Sequence, residues 1–133
     1  MMPIEQAERL LRMAAKDIKA LDLMMLPDSI DDEIFGFHAQ QAVEKSLKAW
    51  ITAIGGSYGF VHDLRVLFLT LRETGCSIDH FRHLIKLNPF AAQLRYEPME
   101  TVDEPLDRPA LRAQVQEVYD HVHSVLSLME GRG

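Results

Sequence analysis

The chain has 133 residues, of which 47% are hydrophobic, and its formal net charge is −6. This composition is sufficient for the buried core of one domain and excludes an intrinsically disordered chain. The negative net charge excludes a protein that attracts nucleic acid through its overall charge. The single cysteine, Cys76, excludes an intrachain disulfide and a metal site made of several cysteines.

Neither a membrane-spanning helix nor an export signal is expected. No apolar run approaches the roughly 20 residues that a membrane-spanning helix needs. Residues 1–5 carry no basic side chain and are not followed by a continuous apolar segment, whereas export signals have both features. We therefore expect a cytoplasmic protein.

Two long amphipathic helices are predicted in the first part of the chain. The first begins near Pro3, a residue suited to a first helical turn, and its apolar stripe continues to about residue 26. The second begins at Asp31 or Asp32, either of which can cap a helix, and continues to Ile54, before two glycines. The short connection between them predicts an antiparallel helical hairpin.

Two shorter helices are predicted next. The third covers residues 62–74, with Leu64, Leu67, Phe68 and Leu71 facing the core. The fourth covers residues 78–87 and ends at Asn88-Pro89, because proline cannot continue a helix. A short turn then leads to Arg95-Tyr96.

The last part of the chain combines an acidic loop with a final long helix. Residues 97–107 contain five acidic side chains, two prolines and no basic residue, so we expect an exposed loop. Pro109 begins a helix that continues to about residue 130, and its apolar residues have heptad-like spacing. The predicted fold is all-α: an up-and-down four-helix bundle with an additional short helix, forming one domain over residues 1–133.

The second helix has an unusual polar face. At about 100° per residue, one side of this helix carries His38, Gln41, Glu44, Lys45 and Lys48, while apolar residues occupy the other side. Lysine supplies a point charge for phosphate, and glutamine can donate to and accept from a base or sugar. Three interpretations remain open: a solvated face with an exposed Glu44–Lys48 ion pair, an anion or nucleotide site, and a contact with a partner or second copy.

Several of these residues form a pattern with others along the chain. Gln41-x-x-Glu44-Lys45-x-x-Lys48-Ala49 is followed by a glycine-containing loop, then by His62-Asp63-Leu64 and later by Arg95-Tyr96. In order and spacing this pattern resembles the HEPN domain family. The resemblance implies a small all-α domain that dimerises and is often encoded beside a minimal nucleotidyltransferase.

The resemblance also implies a class of ligand, a partner protein and a set of ligand-binding residues. It points to a module that binds a nucleotide or RNA, or that docks onto a nucleotidyltransferase in a toxin–antitoxin-like system. A homodimer is further suggested by Val66 and Leu69, two apolar residues outside the core-facing side of the third helix. The candidate ligand-binding residues are Gln41, Glu44, Lys45, Lys48, His62, Arg95 and Tyr96.

The pattern departs from that of the HEPN ribonucleases, which carry an arginine and a histidine separated by four to six residues. No histidine here has an arginine at that spacing: Arg72 and His80 are separated by seven residues, and Arg112 and His121 by eight. We therefore predict no catalytic residues and a module without catalysis. The alternatives are a metal-independent ribonuclease toxin with an unconventional site and a structural dimerising accessory subunit.

The remaining candidate features have simpler interpretations beside the functional ones. Asp63 is suited to cap the third helix, whereas His62 can help close a pocket with Lys48. Arg95 can pair with acidic residues of the following loop or join a phosphate-binding surface. His80 and His83 share a helix face, but too few further ligands lie near them, so neither a metal nor a cofactor is expected.

Overall fold

The structure, a computed structural model, describes residues 2–93 and 105–131. This part of the chain contains no β-strand, and the all-α fold predicted from the sequence is confirmed. Its elements, in chain order, are α1 (Pro3–Leu23), α2 (Asp32–Ala53), α3 (Leu64–Glu73), a 3₁₀ helix (Arg82–Leu87), α4 (Phe90–Gln93) and α5 (Arg108–Glu130).

Helix α2 lies at the centre of the fold. None of its residues is fully exposed, since α1, α3, α4, α5 and the 3₁₀ helix all pack around it. Its apolar side is completely buried, as are the residues that α1 turns toward it, including Ala7, Leu11 and Leu21. Helices α1 and α2 are joined by the short segment 24–31 and pack extensively against each other, which confirms the predicted hairpin.

Helix α3 begins where the sequence indicated. The carboxylate of Asp63 accepts a hydrogen bond from the backbone N–H of Arg65 at 2.9 Å, as expected of a capping residue. Asn88, after the 3₁₀ helix, reinforces this start: its side-chain oxygen accepts from Leu64 N at 2.9 Å and its amide donates to Asp63 at 2.8 Å. His62 directly precedes this cap, and its Nδ1 lies 3.2 Å from the carboxylate of Glu44 on α2.

The predicted fourth helix over residues 78–87 is wrong in type. Residues 79–81 form turns, and a 3₁₀ helix covers Arg82–Leu87. The buried residues Ile78, Phe81, Leu84 and Leu87 recur every three positions. That spacing matches the 3.0 residues per turn of a 3₁₀ helix, whereas an α-helix would rotate them gradually off the core.

A short helix in this region packs closely on α2. The ring of Phe90, in α4, is buried against Gly36 of α2, and a Cβ atom added at Gly36 would overlap that ring. Glycine therefore allows the two helices to approach at this position.

The acidic loop predicted over residues 97–107 lies mostly outside the described residues, as do Arg95 and Tyr96. Within the described part, Asp107 caps α5 by accepting a hydrogen bond from Ala110 N at 3.1 Å. None of the described helices combines the length and apolar character required to cross a membrane.

Candidate functional site

The polar face of α2 is largely covered by neighbouring elements. The side chain of Glu44 is only 5% exposed and that of Lys48 only 11%, although they form the expected ion pair at 3.3 Å. Gln40, on the same side, is completely buried. The expectation of an exposed Glu44–Lys48 pair is therefore wrong in its exposure, because α1 and the chain before α3 cover this face.

Glu44 is the centre of one cluster of hydrogen bonds. Its carboxylate accepts from Lys48 Nζ at 3.3 Å, from Gln40 Nε2 at 3.0 Å and from His62 Nδ1 at 3.2 Å. Gln40 in turn accepts at its side-chain oxygen from Gln41 Nε2 at 2.7 Å. Such donors are what a buried carboxylate needs to offset its loss of hydration.

Asp17, on α1, is the centre of a second cluster. Its carboxylate accepts from Lys45 Nζ at 2.7 Å and lies 3.0 Å from Nδ1 of His38. The side chain of Asp17 is largely buried between α1 and α2. A carboxylate of one helix thus fixes a lysine and a histidine of the other.

The two clusters share three groups: a buried carboxylate, a lysine, and a histidine bound through Nδ1. We call them together the α2 polar network, which comprises Asp17, His38, Gln40, Gln41, Glu44, Lys45, Lys48 and His62. A histidine that donates from Nδ1 to a carboxylate is held in one orientation, with Nε2 directed away from it. The side chain of His62 is 58% exposed, so this edge of its ring reaches solvent.

Electrostatically, the network provides fixed donors rather than a large net charge. The formal charges of its two lysines cancel those of Asp17 and Glu44, which lie within 3.3 Å of them. Side-chain exposure is 21% for Lys45 and 32% for His38, and Lys48 is the least exposed of the cationic members at 11%. The network can therefore present several oriented N–H groups to one ligand.

Histidines elsewhere form no comparable arrangement. His80 Nε2 lies 2.7 Å from Glu117 of α5, and the ring of His121 packs against Trp50 at 4.7 Å between ring centroids. Burial lowers the pKa of His121, and the charge of His80 lowers that pKa further. Among the described residues, no group of three or more histidine, cysteine, aspartate or glutamate side chains is arranged to hold a metal ion.

Comparison with known proteins adds one finding to this geometry. A family model described as "HEPN domain" matches residues 7–132, nearly the whole chain. The chain belongs to the HEPN domain family. No curated protein and no solved structure matches it.

Five of the seven candidate residues of this HEPN domain are brought together by the structure. Glu44 is the centre of one cluster that includes Gln41, Lys48 and His62, and Lys45 joins the second cluster. The other two candidates, Arg95 and Tyr96, lie outside the described residues. The predicted role of Asp63 as a helix cap is confirmed.

Three members of the network, Asp17, His38 and Gln40, are not among the candidate residues predicted from the sequence. Gln40 and Asp17 lie within the predicted amphipathic helices and belong to no motif of the sequence. His38 lies on the predicted polar face but is not among the predicted ligand-binding residues. The available signal was the position of Asp17 on the apolar side of α1, between Ala14 and Leu21, where an unpaired carboxylate would be costly.

The two arginines closest to the spacing of a HEPN ribonuclease are engaged elsewhere. Arg72 donates to Asp79 at 3.2 Å, and Arg112 donates to Asp22 of α1 at 2.8 Å. Neither is bonded to the histidine that follows it in the sequence.

Proposed function

We propose that this HEPN domain binds a nucleotide or RNA through the α2 polar network, without catalysis. The proposal rests mainly on one observation: buried carboxylates hold lysines and histidines in fixed positions at the surface of α2. Phosphate oxygens accept hydrogen bonds from such nitrogens, and donors that are already oriented lose little conformational entropy on binding.

The network also explains why the affinity should be modest. Each lysine is already paired with a carboxylate, so a phosphate has to compete with that carboxylate for the same donors. The flanking segments, residues 1–35 and 97–133, have an excess of acidic side chains. We expect binding that strengthens at low salt, because exposed charges are then screened less.

Binding of a fluorescent oligoribonucleotide tests the proposal. Lys45→Gln combined with Lys48→Gln removes two charges but keeps an amide that can donate to each carboxylate, which limits damage to the fold. We expect weaker binding, with the slope of log affinity against log salt reduced by about 1 for each lysine that contacts phosphate.

A matched control removes the same charge elsewhere. Lys19→Gln combined with Lys86→Gln changes two exposed lysines that lie outside the network. This control should bind the oligoribonucleotide with almost the affinity of the wild type. Equal losses in the two double variants would mean that only net charge matters, and unchanged binding in the network variant would contradict the proposal.

Ribonuclease activity is expected to be absent. Phosphodiester cleavage by the family's known route needs an arginine and a histidine at one phosphate, and no pair here has the required spacing. Purified protein incubated with structured and single-stranded RNA should give no cleavage above that of an Arg95→Ala variant. Robust cleavage that this variant abolishes would instead support the alternative, a ribonuclease toxin with an unconventional site.

A second role, assembly with another copy of the chain, is favoured by two apolar residues of α3. Val66 and Leu69 are exposed, whereas Leu67 and Phe68 of the same helix are buried. We propose that α3 contributes to a two-fold dimer. Such a dimer is compatible with docking onto a nucleotidyltransferase partner in a toxin–antitoxin-like system.

Light scattering at tens of micromolar checks the dimer. The wild type should have twice the mass of one chain, and Leu69→Glu should shift it toward the monomer, because a buried charge at the contact is costly. Leu128→Glu changes another exposed leucine, on α5, and is the control. A monomeric wild type would contradict the dimer without affecting the proposed ligand site.

A further inference from the structure

A second surface feature lies beside the network. A groove of about 440 Å³ is bordered by the first turns of α1, the last turn of α2 and the glycine loop, residues 55–61. None of the predicted ligand-binding residues lines it. Its volume falls within the range of pockets that accept small molecules.

Two aromatic rings of the glycine loop border this groove. Tyr58 is half-buried, and Nζ of Lys48 lies 5.1 Å from its ring centroid. Phe60, two residues later, is fully exposed. Between them Gly59 has a φ of +59°, a left-handed conformation that favours glycine. The loop therefore directs one ring against the network and presents the other to solvent.

The same groove contains polar side chains that are not used within the fold. The amide of Gln6 and the hydroxyls of Thr52 and Ser57 line it, and none of them makes a hydrogen bond with another described residue. Together these side chains offer both donors and acceptors. The groove thus combines an exposed aromatic face with a polar edge.

We propose that this groove binds the base of a nucleotide or of single-stranded RNA. The base stacks on Phe60 and its polar edge faces Gln6, Thr52 and Ser57, while its phosphate is directed past Tyr58 toward Lys48 and His62. This inference rests on the proposed function, because it assigns the base of the ligand whose phosphate the α2 polar network binds.

The chemistry favours a base over other occupants. A flat heterocycle stacks on an aromatic ring and has hydrogen-bonding groups along its edge, which matches both properties of the groove. An apolar side chain of a protein partner would leave the amide and the hydroxyls without partners. A phosphate group alone would leave Phe60 exposed.

Two small ligands separate the base from the phosphate. In an NMR titration, adenosine 5′-monophosphate should bind the wild type more tightly than ribose 5-phosphate, which lacks the base. Phe60→Ala should weaken binding of the monophosphate about 5- to 100-fold, the range typical of a lost base–aromatic stack. The same variant should leave the affinity for ribose 5-phosphate unchanged.

Two further variants control for folding and for general loss of apolar surface. Phe60→Trp retains a stacking face and should bind the monophosphate at least as well as the wild type does. Leu128→Ala removes an exposed apolar side chain from α5, and it should change neither the affinity for the monophosphate nor the affinity for ribose 5-phosphate. Because Phe60 makes no buried contact, circular dichroism should show its alanine variant folded.

Three results would overturn the inference. Equal affinities of the wild type for the two ligands would mean that the base makes no contact. An unchanged affinity of Phe60→Ala for the monophosphate would place the base elsewhere. Both results leave phosphate binding by the network intact, whereas a wild type that binds neither ligand nor an oligoribonucleotide would remove the proposed function as well.

Discussion

Replacement of Arg108 by methionine is expected to cause the largest loss of stability in this protein, about 3–5 kcal/mol. The side chain of Arg108, at the start of α5, is 2% exposed and binds the connection between α1 and α2. It donates to the carbonyls of Met24 and Ile30, each at 2.6 Å, and to Asp32 at 3.0 Å. Methionine fills similar space but leaves these carbonyls and the carboxylate without their donor.

Urea unfolding measures this effect, and two variants identify its cause. Arg108→Lys keeps the charge but lacks the planar fork that reaches several carbonyls at once, so it should recover only part of the stability. Arg112→Met removes an arginine whose ion pair with Asp22 is largely exposed, and it should cost less than about 1 kcal/mol. Similar losses in the free energy of unfolding for Arg108→Met and Arg112→Met would show that the buried hydrogen bonds of Arg108 contribute no special stability.

Replacement of Glu44 by leucine should be the second largest effect, about 3 kcal/mol. Three donors, from Gln40, Lys48 and His62, converge on the Glu44 carboxylate. Removing that carboxylate leaves the charge of Lys48 buried without a partner, and this cost exceeds what the added apolar contact returns. Glu44→Gln should cost less, because the amide oxygen still accepts hydrogen bonds.

The matched control is Glu73→Leu, which replaces an exposed carboxylate at the end of α3. It should change the free energy of unfolding by no more than about 0.5 kcal/mol. If Glu44→Leu were as stable as the wild type, the network would be an ordinary solvated face, the simplest of the interpretations that the sequence allowed.

The three long helices could be predicted from the sequence, because each of them has an apolar stripe of helical period. The apolar stripes of α1, α2 and α5, with the nearby prolines and capping aspartates, locate these helices to within a few residues. The segment after α3 was harder to assign. Its apolar residues from Ile78 to Leu87 fit periods of both 3.0 and 3.6 residues when judged on so short a length.

The sequence predicted most of the residues of α2 that belong to the candidate site, but not the contacts that they make with other helices. Periodicity identifies which residues of α2 share a face, but it does not show what covers that face. Asp17 meets Lys45 across 28 positions in the sequence, and Arg108 reaches Met24 across 84. Such contacts are determined by how helices pack, and a single sequence without its fold carries little local signal for them.

The stability of the lysine variants shows how the structure changes an expectation. On an exposed face, substitution of Lys45 and Lys48 would leave the free energy of unfolding unchanged. In the folded chain both lysines neutralise buried carboxylates, so their truncation to alanine should destabilise the protein. This is why glutamine is the better replacement in binding experiments.

The central claim is that a ligand phosphate binds at the α2 polar network, and NMR mapping tests it most directly. In ¹⁵N-labelled protein titrated with a short oligoribonucleotide, signals of the Gln41 side-chain amide and of the backbone around Lys45, Lys48 and His62 should shift together and saturate. Signals from the outer face of α5 should not move. Chemical-shift changes confined to α5 would contradict the assignment of the network as the binding site. So would the absence of any chemical-shift change at oligoribonucleotide concentrations at which fluorescence anisotropy detects binding.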